Sequence, residues 1–244
     1  MEYMQNIIEY YDELFPVSND QKLFYEQMLS GYEMPAKILN VGCATGSFDN
    51  ALARAGHDVT GIDSSKELLE TANRRRRLPN TAIRFFQMTT LEMARFLGKG
   101  FYNIISSLNN DIIKINDEIL LRKFFYDCYT LLTPKGTLLI QIDNFQSLMS
   151  QSKIFLPTRE SIRSKLLTEI THKDTGEWLL NQEVERSDGK VVPVIINKPV
   201  FLLTKSNIET YADEAGFSKV DFYGSYAKDP FTANSPLLVV KLIK

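Results

Sequence analysis

Short apolar runs alternate with amphipathic stretches along the first 145 residues, and that alternation predicts strands interleaved with helices. Ile38–Val41, Asp58–Ile62, Ala82–Met88, Phe101–Leu108 and Thr137–Asp143 read as buried strands. Between them, Phe48, Leu52 and Ala55 share one helical face that Gly56 ends, and Ser65–Arg77 and Asp117–Leu132 are longer helical patterns. Ser64-Ser65-Lys66-Glu67 fits a capping box with Ser64 as the cap. Ahead of the first strand, Ile7, Ile8, Tyr11 and Phe15 lie near helical spacing, and Asp20 can cap a second helix over Gln21–Tyr32. Beyond Asn144 the period falls to two. Lys165–His172, Glu177–Arg186 and Val191–Thr204, separated by Asp- and Gly-bearing turns, predict a three-stranded antiparallel insert. Pro193 and Pro199 favour an edge for its last strand, and Trp178 either closes its small core or faces the pocket, the former being favoured. A capping box at Ser206–Glu209 opens a further helix that Gly216 ends, and strands Lys219–Tyr226 and Leu237–Ile243 finish the chain.

Lys37–Asp63 carries the chemistry. It reads strand, glycine-bearing bend (Gly42-Cys43-Ala44-Thr45-Gly46), helix, strand, with Asp63 at the second strand's tip. Such a unit can hold a nucleoside: the backbone approaches the ligand at the bend, and the carboxylate accepts hydrogen bonds from a ribose diol. A dinucleotide site wants glycines in G-x-G-x-x-G spacing, but from Gly42 the second and third positions hold Ala44 and Ser47. No Walker-type Gly-Lys-Ser follows, so the bend is poorly suited to a pyrophosphate.

These residues resemble motifs I and II of the class I S-adenosylmethionine (SAM)-dependent methyltransferases, which bind a nucleoside without a phosphate. The family usually writes the first motif Asp/Glu-x-Gly-x-Gly-x-Gly; here Asn40 stands at the acid and Ala44 at the middle glycine. The segment LLTPKGTLLIQID resembles the family's L-x-P-G-G-x-L turn before its fifth strand. The resemblance implies an α/β fold: a Rossmann-like doubly wound seven-stranded sheet with an antiparallel last strand, an N-terminal helical lid and an antiparallel β insert after strand 5. One domain over 1–244 is expected, with N-terminal helices (1–34), a cofactor-binding core (36–145), the insert (146–204) and a final helix with strands (205–244). The resemblance also implies SAM as cofactor, with Asn40 near its methionine end. Gly42, Cys43, Ala44 and Gly46 then surround methionine and ribose, Asp63 takes the ribose hydroxyls, and Ser64 follows it. Thr89 lies beside the adenine, and Met88 either packs on it or belongs to the core. Ser107, Leu108 and Asn109 sit where the methyl group should be. Asn109 and Tyr11 are the catalytic candidates, Asn110 shares a turn with Asn109, and Tyr10 or Tyr11 belongs to the lid or simply packs the helix.

Composition narrows the partners. A net charge of −2 gives no reason to expect nucleic acid, and Arg74–Arg77 read as a solvated last helical turn. Two cysteines and two histidines make neither a disulfide framework nor a metal site, and no apolar run approaches the ~20 residues of a membrane span. A cytoplasmic protein acting on a small-molecule N or O acceptor is expected, a homodimer being compatible with the chain. Rival readings are a protein-side-chain methyltransferase, a SAM-binding module without catalysis, and an NAD-type oxidoreductase, which Ala44 and Ser47 disfavour.

Overall fold

Polar residues interrupt the inner strands too rarely to allow a wet face, so those strands gather at the centre of a sheet covered on both sides. The computed structural model describes residues 1–244. A short helix α1 (Tyr11–Leu14) and a longer one, α2 (Asn19–Leu29), precede the alternating part. There β1 (Lys37–Val41), α3 (Ser47–Arg54), β2 (Asp58–Asp63), α4 (Lys66–Arg76), β3 (Ile83–Gln87), α5 (Met93–Phe96), β4 (Tyr102–Ser107), α6 (Glu118–Leu131) and β5 (Leu132–Asp143) follow in turn. The insert supplies β6 (Lys153–Phe155), β7 (Arg159–Glu160), β8 (Ser164–His172), β9 (Trp178–Arg186) and β10 (Val191–Val200). Helix α7 (Lys205–Ala215) and strands β11 (Lys219–Tyr223) and β12 (Leu237–Ile243) close the chain.

The expected seven-stranded sheet forms in the order β11-β12-β5-β4-β1-β2-β3. β1 to β5 run parallel, and β12 lies antiparallel to both β5 and β11. The chain direction across the sheet reverses between β1 and β4, where Val41 pairs with Ser107. Ligands in open α/β sheets bind outside the strand carboxyl ends at that reversal. The residues just beyond, Gly42 and Leu108, are therefore brought side by side.

Several local expectations are corrected. The insert has five strands rather than three, because the brief β6 and β7 both pair with β8 and are too short to show an alternating pattern. β10 does lie at the sheet's edge, and the N-terminus pairs with it: the Tyr3 amide donates to Val194 O at 2.7 Å, and the Ile196 amide to Met1 O at 2.8 Å. That pairing draws the first residues out of the helix expected over 4–15, leaving one 3-10 turn (Met4–Asn6) and α1. Ser18, not Asp20, caps α2; Ser65, not Ser64, caps α4; and Thr204, with Asn207, forms the box that starts α7 in place of Ser206. Ala55 is exposed at the end of α3, and the buried face there is Asp49, Asn50, Leu52 and Ala53.

Trp178 stacks on His172 across the hairpin, ring centroids 4.4 Å apart, and so serves the insert. The insert's inner face (Leu166, Ile170, Leu180, Val184) belongs to one apolar cluster with Ile105, Leu138 and Ile140 of the main sheet. The two sheets thus share a core. Thr204→Ala, which removes the hydroxyl that accepts from the Asn207 amide, is expected to lower unfolding free energy by about 1 kcal/mol in urea titration.

Candidate functional site

The bend is built by the tip of β2. The amides of Gly42 and Cys43 both donate to Ile62 O, at 2.9 and 3.0 Å. The Ala44 amide donates to Asp63 Oδ2 at 2.9 Å, and the Ser65 amide to Asp63 Oδ1 at 2.8 Å. Ala44 holds the left-handed conformation (φ 49°), which costs a non-glycine residue about 1–2 kcal/mol and persists where surroundings over-determine it. Gly42 (φ 75°) leaves room for Asp111, whose carboxyl group fills the place a Cβ would take. Bend and acid are therefore in direct contact, and each Asp63 oxygen keeps a lone pair for a ligand.

A cavity of about 340 Å3 opens from this bend to the insert. That volume falls within the roughly 300–1,000 Å3 usual for small-molecule sites. One end is walled by Gly42, Ala44, Asp63 and Leu108, the other by Thr168 and Gln182 of the insert. Charged groups stand between: Asp111, Lys114 and Asp143, with Arg159 from β7. Lys114 Nζ lies 2.8 Å from Asp111 Oδ1. Burial raises the Asp63 pKa, neighbouring Asp111 raises it further, and Lys114 pulls it back. Burial also lowers the Lys114 ammonium's pKa, but Asp111 and Asp63 more than offset this and hold the amine charged. Burial keeps Tyr11 a phenol, able to donate a hydrogen bond but a poor base. Asp143 is raised by burial and accepts from Asn110 Nδ2 at 2.5 Å, while the Asp143 amide donates to Asn110 Oδ1 at 2.6 Å.

The structure brings Tyr11, Gly42, Ala44, Asp63, Leu108 and Asn109 to this cavity. Asn40 and Cys43 line a smaller recess of about 50 Å3 on the other side of the bend, which Tyr11 and Phe15 also border. Gly46 (φ 68°) turns instead towards β3, making room for the Phe85 ring. Ser107 is buried beneath the site, its hydroxyl without a partner. Ser64 is exposed, and its carbonyl accepts from Gln87 Nε2 at 3.3 Å. Met88 packs against the core, and the Thr89 hydroxyl donates to Glu92 Oε2 at 2.8 Å, so neither borders the cavity. Asn109 and Asn110 both take positive φ (53° and 64°), which makes them the turn after β4. Tyr10 and Tyr11 sit on a strap over the bend: Asp12 accepts from Thr45 Oγ1 at 2.5 Å and pairs with Arg76, while Glu13 and Glu9 hold Arg163 of the insert. Sequence reasoning missed Asp111, Lys114 and Arg159. The first two stand at helical spacing directly after Asn110, a signal available in the chain; Arg159 reaches the cavity only through the fold.

Under the bend lies a second carboxyl group, Asp49. It has no solvent exposure and accepts from Asn40 Nδ2 at 2.9 Å, and Ser106 Oγ donates to Asn40 Oδ1 at 3.3 Å. Burial pushes the Asp49 pKa up to about 7, against the Asn40 hydrogen bond that lowers it.

Comparison with known proteins agrees with this layout. A sequence family described as a methyltransferase domain matches residues 38–136. The glycine/sarcosine N-methyltransferase of Halorhodospira halochloris is 25% identical over 92% of this chain and 82% of its own length. Among solved structures, the CcbJ methyltransferase from Streptomyces caelestis superposes with a TM-score of 0.79 at 19% identity, covering 99% of this chain and 97% of that one. SAM-bound CalS10, an amino pentose methyltransferase from Micromonospora echinaspora, gives 0.67 at 14% identity over 100% and 98%. At those identities the structures establish the class I methyltransferase fold.

Because folding raises the Asp49 pKa, the stability this group contributes is complete below its unfolded value and is lost as pH rises through about 7. Asp49→Asn should therefore match the native chain at pH 4 and exceed it at pH 8 in urea unfolding. Gly42→Ala should lose about 1–3 kcal/mol by overpacking against Asp111, seen as a lower thermal midpoint.

Proposed function

We propose that this class I SAM-dependent methyltransferase methylates the nitrogen of a small amine held between the cofactor bend and the insert. One observation carries the reading: a single cavity joins Gly42, Ala44 and Asp63 to the insert wall at Thr168 and Gln182. The residues present fit the cofactor. Asp63 has free lone pairs for a ribose diol, Gly42 has no Cβ to obstruct the bend, and Asp63, Asp111 and Asp143 favour a cationic ligand. The names of the relatives, a glycine/sarcosine and an amino pentose methyltransferase, support an amine acceptor.

SAM supplies a methyl carbon already activated by its sulfonium, so the protein mainly aligns a lone pair with the carbon–sulfur bond. Asp63 and the bend fix the donor's end of the cavity. The Asn110–Asp143 clamp fixes the turn that carries Asn109, which with Tyr11 faces the space between donor and acceptor. Tyr11, as a phenol, orients the acceptor by donating a hydrogen bond. The amine needs to be unprotonated, and Asp143, whose carboxyl holds its proton more tightly than an exposed one, is placed to receive it. The hydrophobic wall of Ile7, Leu180 and Val194 excludes water. We take the protein as cytoplasmic and indifferent to nucleic acid, in keeping with a cavity wall of mixed charge; no helix is long and apolar enough to cross a membrane.

Calorimetry with SAM, S-adenosylhomocysteine and NAD, followed by methyl transfer to a panel of amino acids, amino sugars and phenols, tests the reading. SAM and S-adenosylhomocysteine should bind, NAD should not, and methylated amine should form. Asp63→Ala should weaken SAM binding by roughly ten- to a hundredfold, the range for hydrogen bonds to a charged group. Unchanged affinity in that variant would sink the assignment.

A further inference from the structure

The mechanism above makes no use of Asp49. Of its two carboxylate oxygens, Oδ2 takes the Asn40 hydrogen bond and Oδ1 has no partner. Every element packed around it withholds a counter-charge. β1 offers the neutral Asn40 amide, and β4 offers Ser106, bonded to that amide. α2 offers the Tyr25 hydroxyl, buried and unpartnered, and the bend offers Cys43, a thiol that burial keeps protonated. From β2 comes Gly61, where a Cβ would stand 2.9 Å from Asp49 Oδ1; the only charged group that faces it is Asp63, of like sign. Burying a carboxyl group without a cation is costly, so a fold that keeps one under a binding loop has left a negative charge for something else to balance.

Resting on the methyltransferase reading, we propose that Asp49 is a positioning residue that distinguishes the methyl donor from its product by charge. The donor carries a sulfonium, and S-adenosylhomocysteine carries a neutral thioether in its place. An ionised Asp49 behind the bend favours the cation, and a protonated one is indifferent. The field acts through Asn40 and the bend backbone in a low-dielectric interior, where Coulombic effects outlast a few ångströms. The balance lies where Asp49 titrates, near pH 7. Donor binding therefore releases a proton in that range, and product binding releases less.

The test is calorimetry of the full chain with SAM and with S-adenosylhomocysteine from pH 6 to 8.5, in buffers of different ionisation enthalpy. The preference for SAM over S-adenosylhomocysteine should rise about tenfold across that range, a factor equivalent to one pKa unit, with more proton release on SAM binding than on product binding. In Asp49→Asn the preference should stay flat with product affinity unchanged. In Asn40→Ala, which removes the hydrogen bond to the ionised form, the rise should move to higher pH. If Asp49→Asn does not fold, the displaced rise in Asn40→Ala and the proton release decide. A flat preference in the native chain, or a rise retained in Asp49→Asn, overturns the proposal, the latter assigning the effect to Asp63 or Asp111. Binding of both nucleosides without pH dependence leaves the methyltransferase reading standing and sinks this inference alone. Binding of neither sinks both.

Discussion

The site depends on the contact between the Asp63 carboxylate and the Ala44 amide. A tight bend with three left-handed residues, Gly42, Ala44 and Gly46, does not hold itself open. Here the end of β2 supplies the acceptors: Ile62 O for two amides and Asp63 for a third. The residue whose carboxyl group lines the cavity is also the residue that shapes the bend. A change at Asp63 therefore acts twice, once on the cavity wall and once on the backbone beside it.

The second constraint is that the bend and the insert border one compartment. In a doubly wound sheet the strand reversal opens a crevice, but nothing closes its outer side. The insert closes it, and its inner face is continuous with the main core, so it does not sit as a separate flap. Charge is distributed accordingly. Asp63 and Asp111 meet at the bend, Lys114 lies beside Asp111, Asp143 ends β5, and Arg159 comes from the insert.

The sheet was legible because its signal is redundant. Most inner strands carry an apolar stretch of strand length, and the glycine-bearing bend and Asp63 sit at predictable strand tips. Caps were less legible: at Ser64–Ser65 the choice between neighbouring serines rests on which one adopts an extended conformation, and the sequence is nearly silent on that. β6 and β7 were lost because two or three residues show no period. Asp49 was missed for a different reason. An acid in the first turn of a helix is ordinarily a solvated partner of the helix dipole, and only the packing of α3 under the bend turns it into a buried group. Thr89 was placed beside the cofactor by the family's pattern alone and does not border the cavity here, and of the two readings open for Met88 the structure shows the core contact.

The strap over residues 9–13 joins parts of the molecule that the sheet leaves apart. Asp12 fastens to Thr45 and Arg76 on the side of the bend, while Glu9 and Glu13 fasten to Arg163 on the side of the insert. Loss of either set of links would free one end of the segment that carries Tyr10 and Tyr11. The strap thus ties the bend and the insert to one short segment at the rim, outside the hydrogen bonding of either sheet.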